Sequence, residues 1–257
     1  MSALLEIRDL SVTAAHGGPT VVQGVSYTVN RNEILCVVGE SGSGKSVTAH
    51  AIMGLLPADQ LSVTQGQILY GGRDLVGLSA TDWYGLRGRC FGMVFQEPMT
   101  ALNPIMRVGR QVDEVLERHT NLNAAARRQR VLELFGQVLL PDPQAMYDAF
   151  PFQLSGGQRQ RVVIAMALAL EPDVLIADEP TTALDVTTQA QILALIKDIQ
   201  HRMGIGVIFI THDFGVVAEA GDRVAVMKEG KIVEEGPVER IFDRPSHPYT
   251  RRLLSAL

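Results

Sequence analysis

One stretch has the residue types and the spacing of a phosphate-binding loop, G-x-x-x-x-G-K-[ST]: Gly39-Glu40-Ser41-Gly42-Ser43-Gly44-Lys45-Ser46. Glycines let successive backbone N–H groups point into one concavity, and the N-terminus of a following helix adds about half a positive charge. Lys45 is placed to reach the β- and γ-phosphates of a nucleotide, and the Ser46 hydroxyl to bind Mg²⁺. The stretch therefore predicts a nucleoside triphosphate site.

Such a loop works only between a strand and a helix. The residues before it, Ile34–Val38, form a short apolar run rich in β-branched side chains, which is typical of a buried strand. The residues after it, Val47–Leu56, have apolar side chains at helical spacing and end at Pro57. These flanking elements favour a true phosphate loop over a chance match.

A second candidate site is a pair of carboxylates at the end of an apolar run. Val174–Ala177 leads directly into Asp178 and Glu179. Acids at the end of a buried strand are costly unless they have partners or a function. An aspartate in this setting holds Mg²⁺ in phosphate-loop enzymes, and the next acid can polarise an attacking water. The alternative is that one of them caps a helix.

A third candidate is the stretch Leu154-Ser155-Gly156-Gly157-Gln158, which opens a helix with an apolar face. A serine hydroxyl and glycine amides at a helix N-terminus make a second anion cradle. One chain then has two phosphate-binding helix starts, and the simplest explanation is that each nucleotide uses one cradle from each of two chains. An ordinary Ser-Gly-Gly helix cap is the alternative.

Length and composition set the bounds. The chain has 257 residues, 46% hydrophobic and 20% charged, as expected for a folded globule with a sizeable core. Its net charge of −5 argues against a general nucleic-acid binder. The two cysteines, Cys36 and Cys90, lack metal-like spacing, no signal peptide is visible, and the longest apolar run, Val162–Leu170, is too short to span a bilayer.

The order of predicted elements gives the fold class. Strands are predicted at Leu5–Thr13, Val21–Val29 and Gln67–Tyr70, with a hairpin-type turn at Gly71-Gly72. A helical pattern then fills Val108–Leu140, and strand–helix alternation resumes at Val174. We therefore predict one α/β phosphate-loop domain over 1–257, with an N-terminal antiparallel β portion and an inserted helical subdomain at approximately 97–160.

These motifs, in this order, make nearly the whole chain resemble the ATP-binding cassette (ABC) ATPases. The matching segments are the phosphate loop Gly39–Ser46, Gln96, the signature Leu154–Gln158, the strand Leu175–Asp178 with Glu179, the contact loop Ala183-Leu184-Asp185, and His212 after Val207–Thr211.

The resemblance implies a role for each matching residue. Glu179 would be the general base, and His212 would sense the γ-phosphate. Ser46, Gln96 and Asp178 would surround Mg²⁺, while the signature would serve the ATP of the opposite subunit. One departure is the lack of an aromatic at Val12–His16, where the family usually stacks a ring on adenine. Either His16 stacks there or the base is held loosely.

Three stretches resemble a narrower family, the importers of oligopeptides, dipeptides and nickel: Phe95–Pro104, Asp178–Thr187 and the tail Pro245–Leu254. This resemblance implies a peripheral translocase subunit at the cytoplasmic face of a prokaryotic inner or plasma membrane. It would use ATP and Mg²⁺, pair with a second ABC ATPase as a homo- or heterodimer, and serve two permease subunits and an extracytoplasmic solute-binding protein.

The same resemblance places a membrane-subunit docking surface at Pro98–Met106, where we expect Leu102 and Ile105 to be exposed. A proline-stiffened surface loop is the alternative. For the tail Pro245–Leu254, the alternative is an ordinary C-terminal helix that is docked on the domain. Two other functions are weighed: a soluble ABC protein acting on DNA or the ribosome, and a small-molecule kinase. The first predicts a coiled-coil insert, zinc cysteines or a basic linker, and the second does not explain the signature.

Overall fold

The computed structural model describes residues 3–96, 101–182 and 184–255. The described residues fall into two compact units. The first unit contains those between Met1 and Arg87 and between Gln200 and Leu257, and the second those between Gly88 and Ile199.

The first unit opens with an antiparallel sheet. Its strands are β1 (Leu5–Ala14), β2 (Thr20–Val29), β4 (Leu61–Tyr70) and β5 (Arg73–Asp74), in the order β2-β1-β4-β5. Side chains alternate at the start of β1, where Leu5 and Ile7 are buried, and the alternation ends at a register shift beyond which Leu10 to Val12 are all buried. This confirms the N-terminal antiparallel portion.

Strand β4 is longer than predicted. It begins at Leu61, not at Gln67, because its polar first half pairs with β1, as in Thr13 opposite Ser62. The hairpin turn at Gly71-Gly72 is confirmed: φ is +54° at Gly71 and +84° at Gly72, and β4 and β5 pair directly across it.

Around the phosphate loop the first unit is built on parallel strands. Strand β3 (Glu33–Val38) is buried along its whole length and lies between β8 (Gly206–Thr211) and β9 (Arg223–Lys228), both parallel to it. Strand β10 (Lys231–Pro237) pairs with β9 in the antiparallel direction. A continuous apolar strand with neighbours on both sides is the arrangement that the run Ile34–Val38 predicts.

Helix α1 (Lys45–Ile52) follows the phosphate loop, and it ends before the predicted Leu56. The reason is Gly54, which has φ +61° and leaves the helical conformation ahead of Pro57. A Cβ at Gly54 would lie 2.3 Å from the ring of Trp83, so glycine is needed there. The unit's other helices are α2 (Ala80–Leu86), α8 (Phe214–Ala220), α9 (Val238–Asp243) and α10 (Pro248–Leu254).

The second unit combines a parallel strand pair with helices. Strands β6 (Phe91–Val94) and β7 (Val174–Asp178) pair in parallel. Its described helices include α3 (Val108–His119), α4 (Ala124–Gln137), α5 (Pro143–Asp148), α6 (Gly156–Leu168) and α7 (Val186–Met203), whose last turn belongs to the first unit.

The helical pattern over Val108–Leu140 is two helices, α3 and α4, and not one. Asn123 begins α4 because its side chain accepts a hydrogen bond from the Ala126 N–H at 2.9 Å. The two helices pack against each other, and apolar side chains on them such as Leu116 and Phe135 are fully or almost fully buried. The helical subdomain is therefore confirmed, whereas its bounds at about 97–160 stay a prediction.

The predicted docking stretch Pro98–Met106 is only partly described, since Pro98, Met99 and Thr100 lie outside the described residues. Leu102 is 3% exposed and Ile105 is 85% exposed, so the expectation for Leu102 is wrong. The Gln111 amide explains the fold of this turn: its nitrogen donates to the carbonyls of Asn103 and Met106, which turns Leu102 into the core.

Glutamate substitutions at these two positions should separate core from surface. Leu102→Glu should lower the free energy of unfolding by about 3 kcal/mol or more, because an unpaired carboxylate would be buried. Ile105→Glu should change it by less than about 0.5 kcal/mol, since the position faces solvent. Urea denaturation followed by circular dichroism measures both, and equal losses would contradict the burial difference.

None of the helices in the described part of the chain combines the length and the apolar character that crossing a bilayer requires.

Candidate functional site

The phosphate loop connects the buried end of β3 to the first turn of α1, as predicted. Gly39 cannot be replaced without moving the backbone, because a Cβ there would lie 2.1 Å from the carbonyl oxygen of Met227. Gly44 has φ +101°, and its Cβ would meet the Val21 carbonyl oxygen at 3.1 Å. Close packing against neighbouring strands therefore fixes both ends of the loop.

The Lys45 side chain curls back inside the loop and is only 4% exposed. Its ammonium donates to the Gly39 carbonyl oxygen at 2.8 Å and to the Glu40 carbonyl oxygen at 3.0 Å. A buried cation needs such partners, because removing it from water is costly. The loop thus concentrates positive charge at the N-terminus of α1, where an anion is stabilised.

His212 lies beside the start of the loop. Strands β3 and β8 run in parallel with Val38 opposite Thr211, so Gly39 and His212 both follow the carboxyl ends of neighbouring strands. His212 is exposed, and the backbone after it is fixed because the Thr211 hydroxyl accepts from the Asp213 N–H at 3.0 Å. The role of His212 toward a bound phosphate stays a prediction.

In the second unit, the structure brings Gln96 and Glu179 together. Val94 is opposite Ala177 in the β6–β7 pair, so Gln96 and Glu179 each lie two positions beyond the last paired residue of their strand. The Gln96 amide donates to the Glu179 carboxylate at 3.2 Å, and the Thr182 hydroxyl donates to the same oxygen at 3.0 Å. These bonds hold one oxygen of the predicted general base in a defined direction.

The backbone of Glu179 is strained. Its φ is +46°, in the left-handed region that costs a non-glycine residue about 1–2 kcal/mol. The residue precedes Pro180, which further restricts its conformations. Such strain persists only where the surrounding structure imposes it, and it is concentrated at functional positions.

Asp178 ends β7 and is 3% exposed. Its carboxylate, the Ser46 hydroxyl and the Gln96 amide oxygen are all hard oxygen donors, which is the ligand chemistry that Mg²⁺ prefers. The described residues contain no group of three or more His, Cys, Asp or Glu that could form a complete metal cage.

The signature begins α6 with a capping box. The Ser155 hydroxyl accepts from the Gln158 N–H at 3.2 Å, and the Gln158 side-chain oxygen accepts from the Ser155 N–H at 2.9 Å. Leu154 is buried and anchors the turn. The predicted helix start is confirmed, and Gln158 supports this start, while the anion-binding role of the signature stays a prediction.

The contact loop leads into α7, and one of its three predicted residues, Ala183, lies outside the described residues. Asp185 accepts from the Thr188 hydroxyl at 2.6 Å and from the Thr188 N–H at 3.0 Å, which lowers the pKa of its carboxyl. Leu184 lies near Gly156, whose Cβ would meet it at 3.4 Å. The signature and the contact loop are therefore neighbours within this unit.

Sequence reasoning missed three residues that contact the site. The Thr182 hydroxyl donates to the Glu179 carboxylate. This contact could have been predicted, because Thr182 follows Glu179 by only three positions. Tyr249 and Arg252 of α10 both bond to Glu40 in the phosphate loop. No local pattern connects them to a loop more than two hundred positions earlier.

Comparison with known proteins agrees with this geometry. The family model described as "ABC transporter" matches residues 22–182. The chain is 51% identical over 259 residues to the oligopeptide transport ATP-binding protein OppD of Bacillus subtilis (strain 168), covering 100% of this chain and 72% of the relative. It is also 51% identical over 259 residues to the dipeptide transport ATP-binding protein DppD of the same strain, covering 100% and 77%.

A solved structure shows the same fold. The dimeric post-hydrolysis state of the ATP-binding cassette MJ0796, bound to ADP and Pi, has a TM-score of 0.78 and 28% identity, over 91% of this chain and 98% of that one. The class defined here is therefore an ATP-binding cassette. The chain belongs to the ABC transporter family, and it is an ATP-binding, ATP-hydrolysing subunit.

The contact between Gly157 and Thr188 gives a test of how the signature is built. A Cβ at Gly157 would lie 2.5 Å from the Thr188 methyl group, whose side chain is held by Asp185. Gly157→Ala should lower the free energy of unfolding by about 1–3 kcal/mol through overpacking. Adding Thr188→Ser should restore most of it, because serine keeps the hydroxyl and loses the methyl.

The control is Thr188→Ser alone, and the measurement is urea denaturation of all three variants. A double variant no more stable than Gly157→Ala would show that the methyl contact is not the cause.

Proposed function

We propose that the chain is the ATP-binding subunit of an importer, which hydrolyses ATP to drive uptake of peptides or a related small solute through separate membrane subunits. The observation that most directly supports ATP hydrolysis is the position of the Glu179 carboxylate, which accepts hydrogen bonds from Gln96 and Thr182 and directly follows the buried Asp178. The solute class is supported by the names of the two relatives, which are oligopeptide and dipeptide transport proteins.

Nucleotide binding is assigned to the residues of the phosphate loop. The backbone N–H groups of the loop and the Lys45 ammonium would bind the β- and γ-phosphates. Ser46, Asp178 and Gln96 would hold Mg²⁺, either directly or through water. When bound, the metal would neutralise charge that develops on the phosphate oxygens.

Hydrolysis is assigned to Glu179 with His212. The carboxylate would accept a proton from a water that attacks the γ-phosphorus in line with the bond that breaks. The hydrogen bonds from Gln96 and Thr182 to one carboxylate oxygen would hold the Glu179 side chain in the direction from which it accepts that proton. His212 would contact the γ-phosphate and so report whether it is present.

A complete site is proposed to need two chains. The signature Leu154–Gln158 of one subunit would bind the γ-phosphate held by the other subunit's loop, and Ala183, Leu184 and Asp185 would line the contact between them. The dimeric MJ0796 cassette supports this arrangement. Closing the dimer on two ATP molecules and reopening it after hydrolysis would supply the mechanical step of transport.

The remaining partners follow from the proposed importer. Two permease subunits would span the membrane, an extracytoplasmic binding protein would deliver the solute, and this chain would dock at the cytoplasmic face. Ile105, which is 85% exposed, is a large apolar side chain of the predicted docking stretch that would be available for a permease.

Loss of the loop lysine should remove nucleotide binding itself. Lys45→Ala should weaken ATP binding by at least about 100-fold, because the triphosphate loses its buried cationic partner. Lys231→Ala removes an exposed lysine of β10 and is the matched control. Isothermal titration with ATP decides, and an unchanged affinity in Lys45→Ala would remove the binding assignment.

Loss of the general base should stop turnover but not binding. Glu179→Gln should reduce the hydrolysis rate by about 100-fold or more, because an amide does not accept the proton of water. The same variant should form a stable dimer with ATP, detected by size-exclusion chromatography with light scattering. Hydrolysis near the wild-type rate would contradict the role of Glu179.

The trapped dimer also tests the role of the signature. Adding Ser155→Arg to Glu179→Gln should abolish the ATP-dependent dimer while ATP still binds to the monomer. Gln129→Arg, at an exposed position of α4, controls for the added charge.

A further inference from the structure

The C-terminal helix α10 contacts the phosphate loop. The Glu40 main-chain N–H donates to the Tyr249 hydroxyl oxygen at 3.1 Å, across 209 positions of sequence. The Arg252 guanidinium donates to the Glu40 carboxylate at 2.9 Å. The main-chain N–H and the side-chain carboxylate of Glu40, the second residue of the loop, are thus both held by residues of one turn of α10.

Tyr249 is built into this position. Its side chain is 5% exposed, and its ring is contacted by two cations, Lys228 at 5.5 Å and Arg252 at 5.2 Å from the centroid. Burial raises the pKa of the hydroxyl, so Tyr249 remains protonated at neutral pH. The neutral oxygen keeps lone pairs with which it accepts the Glu40 N–H.

The start of α10 is fixed by a buried carboxylate. Glu234 is 6% exposed and accepts from the Ser246 N–H at 2.7 Å and the His247 N–H at 3.0 Å. Burial raises the pKa of Glu234, but the hydrogen bonds donated to it lower that pKa to about 2. His247 in turn accepts the Tyr249 N–H at 3.2 Å. This chain of bonds fixes the backbone from which the Tyr249 side chain projects.

The decisive geometry is a single peptide group. Its carbonyl, from Gly39, accepts the Lys45 ammonium at 2.8 Å, and its N–H, from Glu40, donates to Tyr249 at 3.1 Å. A peptide unit is planar, with its C=O and N–H pointing in opposite directions. Fixing the N–H on Tyr249 therefore fixes the carbonyl that orients Lys45.

We propose that Tyr249 is a positioning residue for the phosphate loop, and that helix α10 sets the affinity for nucleotide through the Gly39–Glu40 peptide. The proposal rests on the proposed function of the loop. With the hydroxyl in place, the loop is already ordered when ATP arrives, so less conformational freedom is lost on binding. Arg252 supports the same peptide from the side chain of Glu40.

The test is Tyr249→Phe, which keeps the buried ring and removes only the hydroxyl. We expect the KM for ATP to rise about three- to tenfold, the range for one lost hydrogen bond, with kcat within about twofold of wild type. On the Glu179→Gln background, where ATP persists, the Kd measured by titration should rise by the same factor. All measurements are made at one temperature, and the thermal transition of each variant is recorded beside them to confirm that it is folded.

Two arginines of α10 supply a matched pair. Arg252→Ala should raise the KM for ATP, because it frees the Glu40 side chain. Arg251→Ala should not, since that guanidinium bonds to the carbonyls of Pro245 and Ser246. A purely structural role of the helix predicts a different result. The variants would then change Tm but not the KM for ATP, and Arg252→Ala and Arg251→Ala would not differ in KM.

An unchanged KM and Kd in Tyr249→Phe overturns the proposal, as does a fall in kcat with KM unchanged. Lys45→Ala, measured beside it, separates this inference from the proposed function. If Lys45→Ala loses ATP binding while Tyr249→Phe binds like wild type, the inference alone fails. If Lys45→Ala binds normally, the assignment of the loop fails as well.

Discussion

The structure around the phosphate loop depends on the burial of one ammonium group. Lys45 is almost wholly removed from water, and it is held by the carbonyl oxygens of Gly39 and Glu40. A buried cation without such acceptors would be strongly destabilising, so the loop must keep its path. That path needs glycine where Gly39 touches the Met227 carbonyl and where Gly44 turns into α1. The path of the loop therefore depends on β3 and the neighbouring strands as much as on the loop's own residues.

In both units the predicted site residues lie at the same kind of position, just beyond the carboxyl ends of paired parallel strands. In the first unit, β3 and β8 end side by side, before Gly39 and His212. In the second, β6 and β7 end side by side, before Gln96 and Glu179. Ligands bind at this edge of parallel sheets because the loops there are free to carry polar groups while the strands stay buried. The hydrogen bond between Gln96 and Glu179 shows the pairing directly.

The features that could be predicted from the sequence are those that depend on residues close together in the chain. The phosphate loop, the buried strands and the capped start of the signature helix follow from residue types over a few positions. Features set by distant partners were missed: the early end of α1 needs glycine at position 54 because Trp83 packs there, and β4 extends because β1 pairs with its polar half. Leu102 looked like a surface residue because nothing nearby in sequence reveals the Gln111 amide that turns it inward. The contact between Tyr249 and Glu40 joins opposite ends of the chain, where no periodic pattern extends.

The central claim is that each ATP is bound by the phosphate loop of one chain and the signature of another. Mixing two inactive variants, Ser155→Arg and Lys45→Ala, tests it most directly. In the mixed dimer, the intact loop of the first variant meets the intact signature of the second. With random pairing and independent sites, hydrolysis should recover to about one quarter of the wild-type rate. If the mixture hydrolyses no faster than the mean of its two components, while wild-type chains form the ATP-dependent dimer under the same conditions, the two-chain site is contradicted.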